Sequence, residues 1–233
     1  MDFLTLTEEE RSALLLSLRV STVATLASLP AGILVAYLLA RGRFHGRALL
    51  NILVHLPLVL PPVVTGFVLL ILFGRRGPIG AFLAEHFGLV FSFRWTGAAL
   101  AAAVMGFPLM VRAIRLSIEA VDRRIEAAAG TLGASRIAVF LTITLPLILP
   151  GILAGAVLGF AKAMGEFGAT ITFVSNIPGE TRTLPAAIYT FTQVPGGDWN
   201  AMRLTIISVV VSVAALAISE WLARRVARRI EAG

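Results

Sequence analysis

Long apolar runs separated by short basic stretches constrain the fold of this chain more than any other feature. Each run is long enough to cross the roughly 30 Å of hydrocarbon in a bilayer, which takes about 20 helical residues. The pattern predicts an all-α membrane protein with about five transmembrane helices in one domain over residues 1–233. The predicted spans cover residues 12–40, 48–73, 95–116, 137–164 and 201–224.

Composition agrees with a chain that is solvated mainly by lipid. Hydrophobic residues make up 58% of the chain and charged residues 14%, whereas a soluble domain carries about 25% charged residues. Cysteine is absent, so disulfides and thiolate metal sites are excluded. A sixth span stays open, because Thr181–Phe191 fits either a short re-entrant helix or a surface helix.

Arginine placement predicts the orientation in the membrane. Cytoplasmic loops carry more Arg and Lys than loops on the other side. Five spans then place the N-terminus outside and the C-terminus in the cytoplasm, and the acidic start of the chain predicts an uncleaved first span. The richer, cytoplasmic set is Arg41, Arg43, Arg47, Arg112, Arg115, Arg123, Arg124, Arg136 and the tail arginines; the opposite set is Arg11, Arg75, Arg76, Arg94, Arg182 and Arg203.

A polar segment, residues 119–136, interrupts the apolar pattern on the predicted cytoplasmic side. Asp122 suits the N-cap of a short helix, because its carboxylate accepts from the free amides of the first turn. Gly133 suits the other end, where a left-handed residue closes a helix. The segment therefore predicts a short helix between two spans, with a small-residue face for a groove on another protein.

The run Glu126-Ala-Ala-Ala-Gly-Thr-Leu-Gly133, followed by Ile143-Thr-Leu-Pro146, resembles the EAA loop of ABC importer permeases. The spacing from Gly133 to Ile143 and Pro146 matches that pattern. Counted back from Gly133, the pattern's Glu position is held by Ala127, and Glu126 precedes it by one residue. In the family this loop forms a coupling helix that docks on the ATP-binding subunit.

Three further strings extend the resemblance over almost the whole chain. They are similar to the permeases of molybdate transporters, and the third one is long and specific. Sulfate and thiosulfate permeases share a related Gly-Glu-Phe-Gly pattern and remain the near alternative. The strings are His55-Leu-Pro-Leu-Val-Leu-Pro-Pro-Val-Val64, Phe107-Pro-Leu-Met-Val-Arg-Ala-Ile-Arg115, and the segment from Gly165-Glu-Phe-Gly168 to Gly179-Glu-Thr-Arg-Thr183.

The resemblance implies a type I ABC importer permease fold in the bacterial inner membrane. Its expected partners are ATP-binding cassette subunits, a periplasmic oxyanion-binding protein, a second copy of the chain and membrane lipid, but no nucleic acid. ATP and Mg are expected on the ATPase partner, with no cofactor on this chain. The coupling residues that the resemblance implies are Asp122, Glu126, Ala127, Ala128, Gly133 and Ala134.

A dianion crossing the membrane needs polar backbone or cationic side chains along a water-filled path. Broken helices expose amides at depth, so the proline-rich second span and the glycine-rich segment 165–175 are the candidate gate. Glu166 would repel an anion, but Lys162 lies one turn earlier and predicts an ion pair; a helix-end salt bridge and a gate both stay open. The candidates are Pro61, Pro62, Thr65, Lys162, Glu166, Gly168, Thr170, Thr172 and Ser175.

Other classes of protein find little support in the sequence. The only lysine, Lys162, lies outside any phosphate-binding loop pattern, and no nucleophile elbow for a serine hydrolase is present. His45, His55 and His86 lack the spacing of metal ligands. An ATP-independent channel or secondary carrier would be favoured by inverted repeats, and none is evident.

Three glycines, Gly151, Gly155 and Gly159, recur every four residues in the fourth apolar run. Small residues on one helical face let two helices approach closely. The spacing predicts packing within the bundle, and a subunit interface or a pore lining stays open as the alternative.

Overall fold

The computed structural model describes residues 6–231. The two termini, whose sides of the membrane were predicted above, fall in residues 1–5 and 232–233, outside the described part. Every regular element in the described residues is a helix. The helices are α1 (Glu8–Arg41), α2 (Arg47–Val59), α3 (Pro62–Phe73), α4 (Pro78–Phe87), α5 (Trp95–Ala120), α6 (Arg123–Thr131), α7 (Arg136–Val139), a π-helical turn (Phe140–Thr144), α8 (Leu145–Met164), α9 (Gly168–Val174), α10 (Leu184–Thr192) and α11 (Asp198–Glu231).

Four helical segments of the described chain are long and apolar enough to cross a membrane: Glu8–Arg41, Trp95–Ala120, Arg136–Met164 and Asp198–Ile218. A fifth crossing results if α2 and α3 are taken as one broken span. The all-helical prediction of about five spans is therefore confirmed. Of the region considered for a sixth span, Leu184–Thr192 forms a helix of only nine residues, about 14 Å long and too short to cross.

The prolines Pro57, Pro61 and Pro62 predict that the second span is kinked or locally unwound, and the structure breaks it into α2 and α3, which meet at an angle of 116°. Leu60 and Pro61 are both extended, with ψ of 143° and 134°. Each precedes a proline, whose ring disfavours helical backbone at the preceding residue. Pro57 stays inside α2. Of the three prolines expected to distort the span, Pro61 and Pro62 therefore set the break.

The core of the bundle is α5, with α1 parallel to it and α8 antiparallel. A Cβ at Gly106 would lie 2.9 Å from the Gly159 carbonyl oxygen, and one at Gly155 would lie 2.9 Å from Ile114 Cγ1. Such short distances leave room for glycine only. The predicted small-residue face of α8 therefore packs within the bundle, against α5.

Two further contacts stabilise the end of the bundle at which α1 begins. Arg203 on α11 donates from Nε to Glu10 Oε1 at 3.1 Å, and its Nη2 also contacts Glu10 Oε2. The guanidinium of Arg19 lies 3.7 Å from the centroid of the Trp95 ring. The Arg19 side chain is therefore directed toward α5, where Trp95 lies.

Candidate coupling helix and transport pathway

The polar segment 119–136 forms the short helix α6, as expected from its capping residues. Asp122 accepts a hydrogen bond from the Arg124 amide at 2.9 Å. Gly133 has a φ of 88°, the left-handed conformation predicted for the end of this helix. No residue of α6 is buried, so the whole helix stands out from the bundle at the end where α1 and α5 finish.

Glu126 anchors α6 to the rest of the bundle. Its Oε1 accepts from Arg41 Nη2 at 3.3 Å and from the Thr144 hydroxyl at 2.9 Å. Arg41 also donates to the Val121 carbonyl oxygen at 2.9 Å. Neither Arg41 nor Thr144 was a candidate from sequence, because both lie far from Glu126 along the chain and no local signal connects them.

The helix α6 therefore has two distinct faces. The inner face lines a cavity between α6 and the bundle. The outer face, on the opposite side of the helix, carries Ile125, Ala128 and Leu132. The Leu132 side chain is 89% exposed, the highest exposed fraction among the large hydrophobic side chains of the described residues. Sequence reasoning missed Leu132, although an apolar residue at a helix end is a recognisable signal. The inner face consists of Arg123, Glu126, Ala127 and Gly130.

At a separate place in the bundle, the structure brings the two candidate gate segments together. A Cβ at Gly66 on α3 would lie 2.5 Å from the Ala169 carbonyl oxygen on α9. A Cβ at Gly168 would lie 2.8 Å from the Pro62 Cβ. The break after α2 is therefore in direct contact with the glycine-rich segment, and we call this contact the α3–α9 junction.

Two of the four candidate hydroxyl groups at the junction donate hydrogen bonds within the chain. Thr170 donates to the Phe167 carbonyl oxygen at 2.9 Å, and Thr172 donates to that of Gly168 at 2.7 Å. Ser175 ends α9 with a φ of 66°, and its carbonyl accepts from Thr181. Thr65 differs, because its buried hydroxyl has no hydrogen-bond partner in the described part of the chain. Among the candidates, Thr65 is thus the buried hydroxyl with unused hydrogen-bonding capacity.

Lys162 and Glu166 form the predicted ion pair, with 2.8 Å between Nζ and Oε2. Glu166 is buried, and its other oxygen accepts from the Ala169 amide at 3.0 Å. The carboxylate therefore caps the first turn of α9 while the ammonium neutralises it. The Lys162 side chain is partly exposed, so one face of this cation remains open. The pairing is confirmed, and the gate role of this pair stays a prediction.

A family model described as the binding-protein-dependent transport system inner membrane component matches residues 28–231. This chain belongs to that family. The permease is 63% identical over 219 residues to the molybdenum transport system permease protein ModB of Escherichia coli (strain K12), covering 94% of this chain and 96% of that protein. It is 55% identical over 224 residues to ModB of Haemophilus influenzae, covering 96% and 98%.

Solved structures show the same fold at low sequence identity. A bacterial ABC transporter involved in alginate import matches the permease with a TM-score of 0.73 and 18% identity, covering 94% of this chain and 80% of that chain. An amino acid ABC transporter solved with histidines matches with a TM-score of 0.68 and 19% identity, covering 97% and 99%. The predicted ABC importer permease fold is confirmed, and the permease is an inner-membrane transport subunit rather than an enzyme.

Proposed function

We propose that this permease forms the path by which an ATP-driven importer carries molybdate across the bacterial inner membrane. The observation that carries the proposal is the 63% identity, over 94% of the chain, to a molybdenum transport permease. Tungstate has the same tetrahedral dianionic form and is included in the proposed cargo. The proposed orientation has the N-terminus outside and α6 in the cytoplasm.

The energy for transport would come from partner chains. We assign the outer face of α6, with Ile125, Ala128 and Leu132, to an ATP-binding subunit that holds ATP and Mg. Glu126 then transmits movement of α6 into the bundle, since Arg41 and Thr144 hold its carboxylate. A second copy of the permease and a periplasmic oxyanion-binding protein complete the proposed assembly.

Sulfate is the competing cargo. The sulfate transport permease CysT of Salmonella typhimurium is 39% identical over 158 residues, covering 68% of this chain and 57% of that protein. Lower identity over a shorter region makes molybdate the better supported cargo.

Uptake of labelled molybdate tests the proposed cargo in cells that lack their own molybdate permease. We expect cells carrying this permease with its partner subunits to take up molybdate. Excess unlabelled tungstate should block this uptake, whereas excess sulfate should leave it largely intact, because discrimination is the difference between two affinities. Strong inhibition by sulfate together with uptake of labelled sulfate would identify a sulfate permease instead.

The α3–α9 junction is proposed as the gate, and labelling of introduced cysteines tests this role. The chain has no cysteine of its own, so only the introduced thiol can react. Thr65→Cys and Thr172→Cys should react with a membrane-impermeant thiol reagent at rates that change when ATP is added. Ala98→Cys is the control, since Ala98 is fully buried in the bundle core and should stay unreactive throughout. Equal protection of all three thiols in every state would rule out a water-filled gate here.

A further inference from the structure

A cavity of about 1090 Å³ lies between the inner face of α6, the last turns of α1 and the π-helical turn. Its deeper wall is apolar and includes Pro30, Ile33 and Leu34 of α1 together with Phe140. The Tyr37 and Phe140 rings, 5.1 Å apart and edge to face, pack where the two sides of the cavity meet. The cavity is therefore an apolar cleft whose floor is made of packed aromatic and aliphatic side chains.

The mouth of this cavity is basic. Arg43, Arg123 and Arg136 line it and are exposed, and none of them has an ion pair or hydrogen bond from its side chain to another residue in the described range 6–231. Glu126 is the one acidic residue in the lining, and Arg41 already neutralises it at 3.3 Å. Three cationic side chains thus surround the entrance without a counter-charge from the chain.

The depth of the cavity matches an amphiphile. Pro30 and Arg41 are eleven residues apart on the same helix, a rise of about 16 Å. The apolar wall therefore extends well into the membrane-spanning part of α1, while the arginines lie at its end. A small soluble anion would leave the apolar wall unused, and a neutral lipid would leave the arginines without a counter-charge.

We propose that this cavity binds one anionic phospholipid from the surrounding leaflet. Its phosphate lies among Arg43, Arg123 and Arg136, and its acyl chains lie against Leu34 and the neighbouring apolar wall. Basic residues next to a membrane attract anionic lipids in this way. The outer face of α6 stays free for the ATPase, because the lipid occupies only the inner face.

The bound lipid would also contact the joint that holds α6. Arg41 and Glu126 line the same cavity, so the headgroup lies beside the ion pair between α1 and α6. A lipid in this position fills the space beneath α6 and restricts its movement toward the bundle. Lipid binding in this cavity depends on the fold and its arginines, whichever oxyanion the permease carries.

Native mass spectrometry of the full chain in detergent, with equal amounts of phosphatidylglycerol and phosphatidylcholine, tests the headgroup half of the proposal. The wild-type chain should retain phosphatidylglycerol preferentially. Arg43→Gln with Arg136→Gln should weaken that retention about tenfold or more, since each basic residue near an anionic headgroup contributes about fivefold. Arg75→Gln with Arg76→Gln removes the same charge away from this cavity and should change nothing.

A second pair of variants tests the acyl-chain half. Leu34→Trp places an indole in the space along the apolar wall and should reduce retention of both lipids. Leu26→Trp is the control and should leave retention unchanged, because Leu26 lies on α1 outside the cavity and is similarly exposed (63% for Leu26, 59% for Leu34). If Leu34→Trp does not give a monodisperse chain, Leu34→Phe replaces it. Glycerol phosphate should not displace the lipid, because it lacks acyl chains.

Four results would overturn the proposal. The first is equal retention of the two lipids by the wild-type chain. The second is an equal loss in the Arg75 and Arg76 variant, which would mean that net charge alone attracts the lipid. The third is normal retention in Leu34→Trp, or in Leu34→Phe where that variant replaces it, and the fourth is displacement by glycerol phosphate. Either would mean that the arginines bind a phosphate group without using the cavity.

Discussion

Ala128→Trp on the outer face of α6 should reduce ATP-driven molybdate uptake at least about tenfold while the chain still inserts into the membrane. The side chain of Ala128 is exposed and on the same face as Ile125 and Leu132, the proposed contact with the ATPase. An indole at a closely packed interface prevents the approach of the partner, and loss of one central contact is worth a factor of ten or more. Uptake and ATP hydrolysis by the assembled complex measure the effect.

Ala48→Trp is the matched control for this variant. Ala48 is also an exposed alanine in a helix at the same end of the bundle, but it lies in the first turn of α2 and outside α6. We expect uptake within about twofold of the wild-type rate, because isolated surface substitutions have small effects. Normal uptake and normal ATP hydrolysis in Ala128→Trp would remove α6 from the coupling contact.

Arg203→Met should be the most destabilising single change at the end of the bundle where α1 begins. The side chains of Glu10 and Arg203 are 0% and 7% exposed, so the substitution leaves a carboxylate buried without its cationic partner. Breaking a buried pair in this way costs about 3–5 kcal/mol. Thermal unfolding of the purified chain in detergent measures the loss as a lower midpoint temperature.

Two companion variants separate the buried charge from other effects. Glu9→Gln removes an exposed carboxylate that lies 3.6 Å from Arg182, and it should cost less than about 1 kcal/mol. Glu10→Met combined with Arg203→Met removes both charges and should recover most of the lost stability. A double variant as unstable as Arg203→Met alone would show that lost packing and the lost capping hydrogen bonds between Glu10 and Thr7, rather than the unpaired charge, dominate.

The positions of the breaks and caps were predictable because their causes are local. Pro61 and Pro62 act on the residue before each of them, Asp122 caps the next turn, and Gly133 takes a left-handed conformation next to its own helix. Lys162 and Glu166 are one helical turn apart, so their pairing also followed from spacing. The 116° angle between α2 and α3 was not predictable, because a break permits many directions and packing of α3 against α9 selects one.

The role of Glu126 shows where sequence reasoning stops. Its offset from the expected position by one residue had no interpretation in the sequence. In the structure this carboxylate points inward to Arg41 and Thr144, while Ala128 and Leu132 face outward. A helix presents different faces at successive residues, and only its neighbours determine which face becomes the anchor.

The sequence by itself determined that this chain is a bundle of membrane-spanning helices with a short polar helix between two of them, because hydrophobic length, caps and helix breakers act over a few residues. Tertiary structure alone decided the contacts that join distant segments: Glu10 with Arg203, Arg41 with Glu126, Gly66 with Ala169, and the basic mouth of the cavity beneath α6. These pairs depend on how the helices pack, and the free energy of packing is shared among many side chains, so no short segment encodes it.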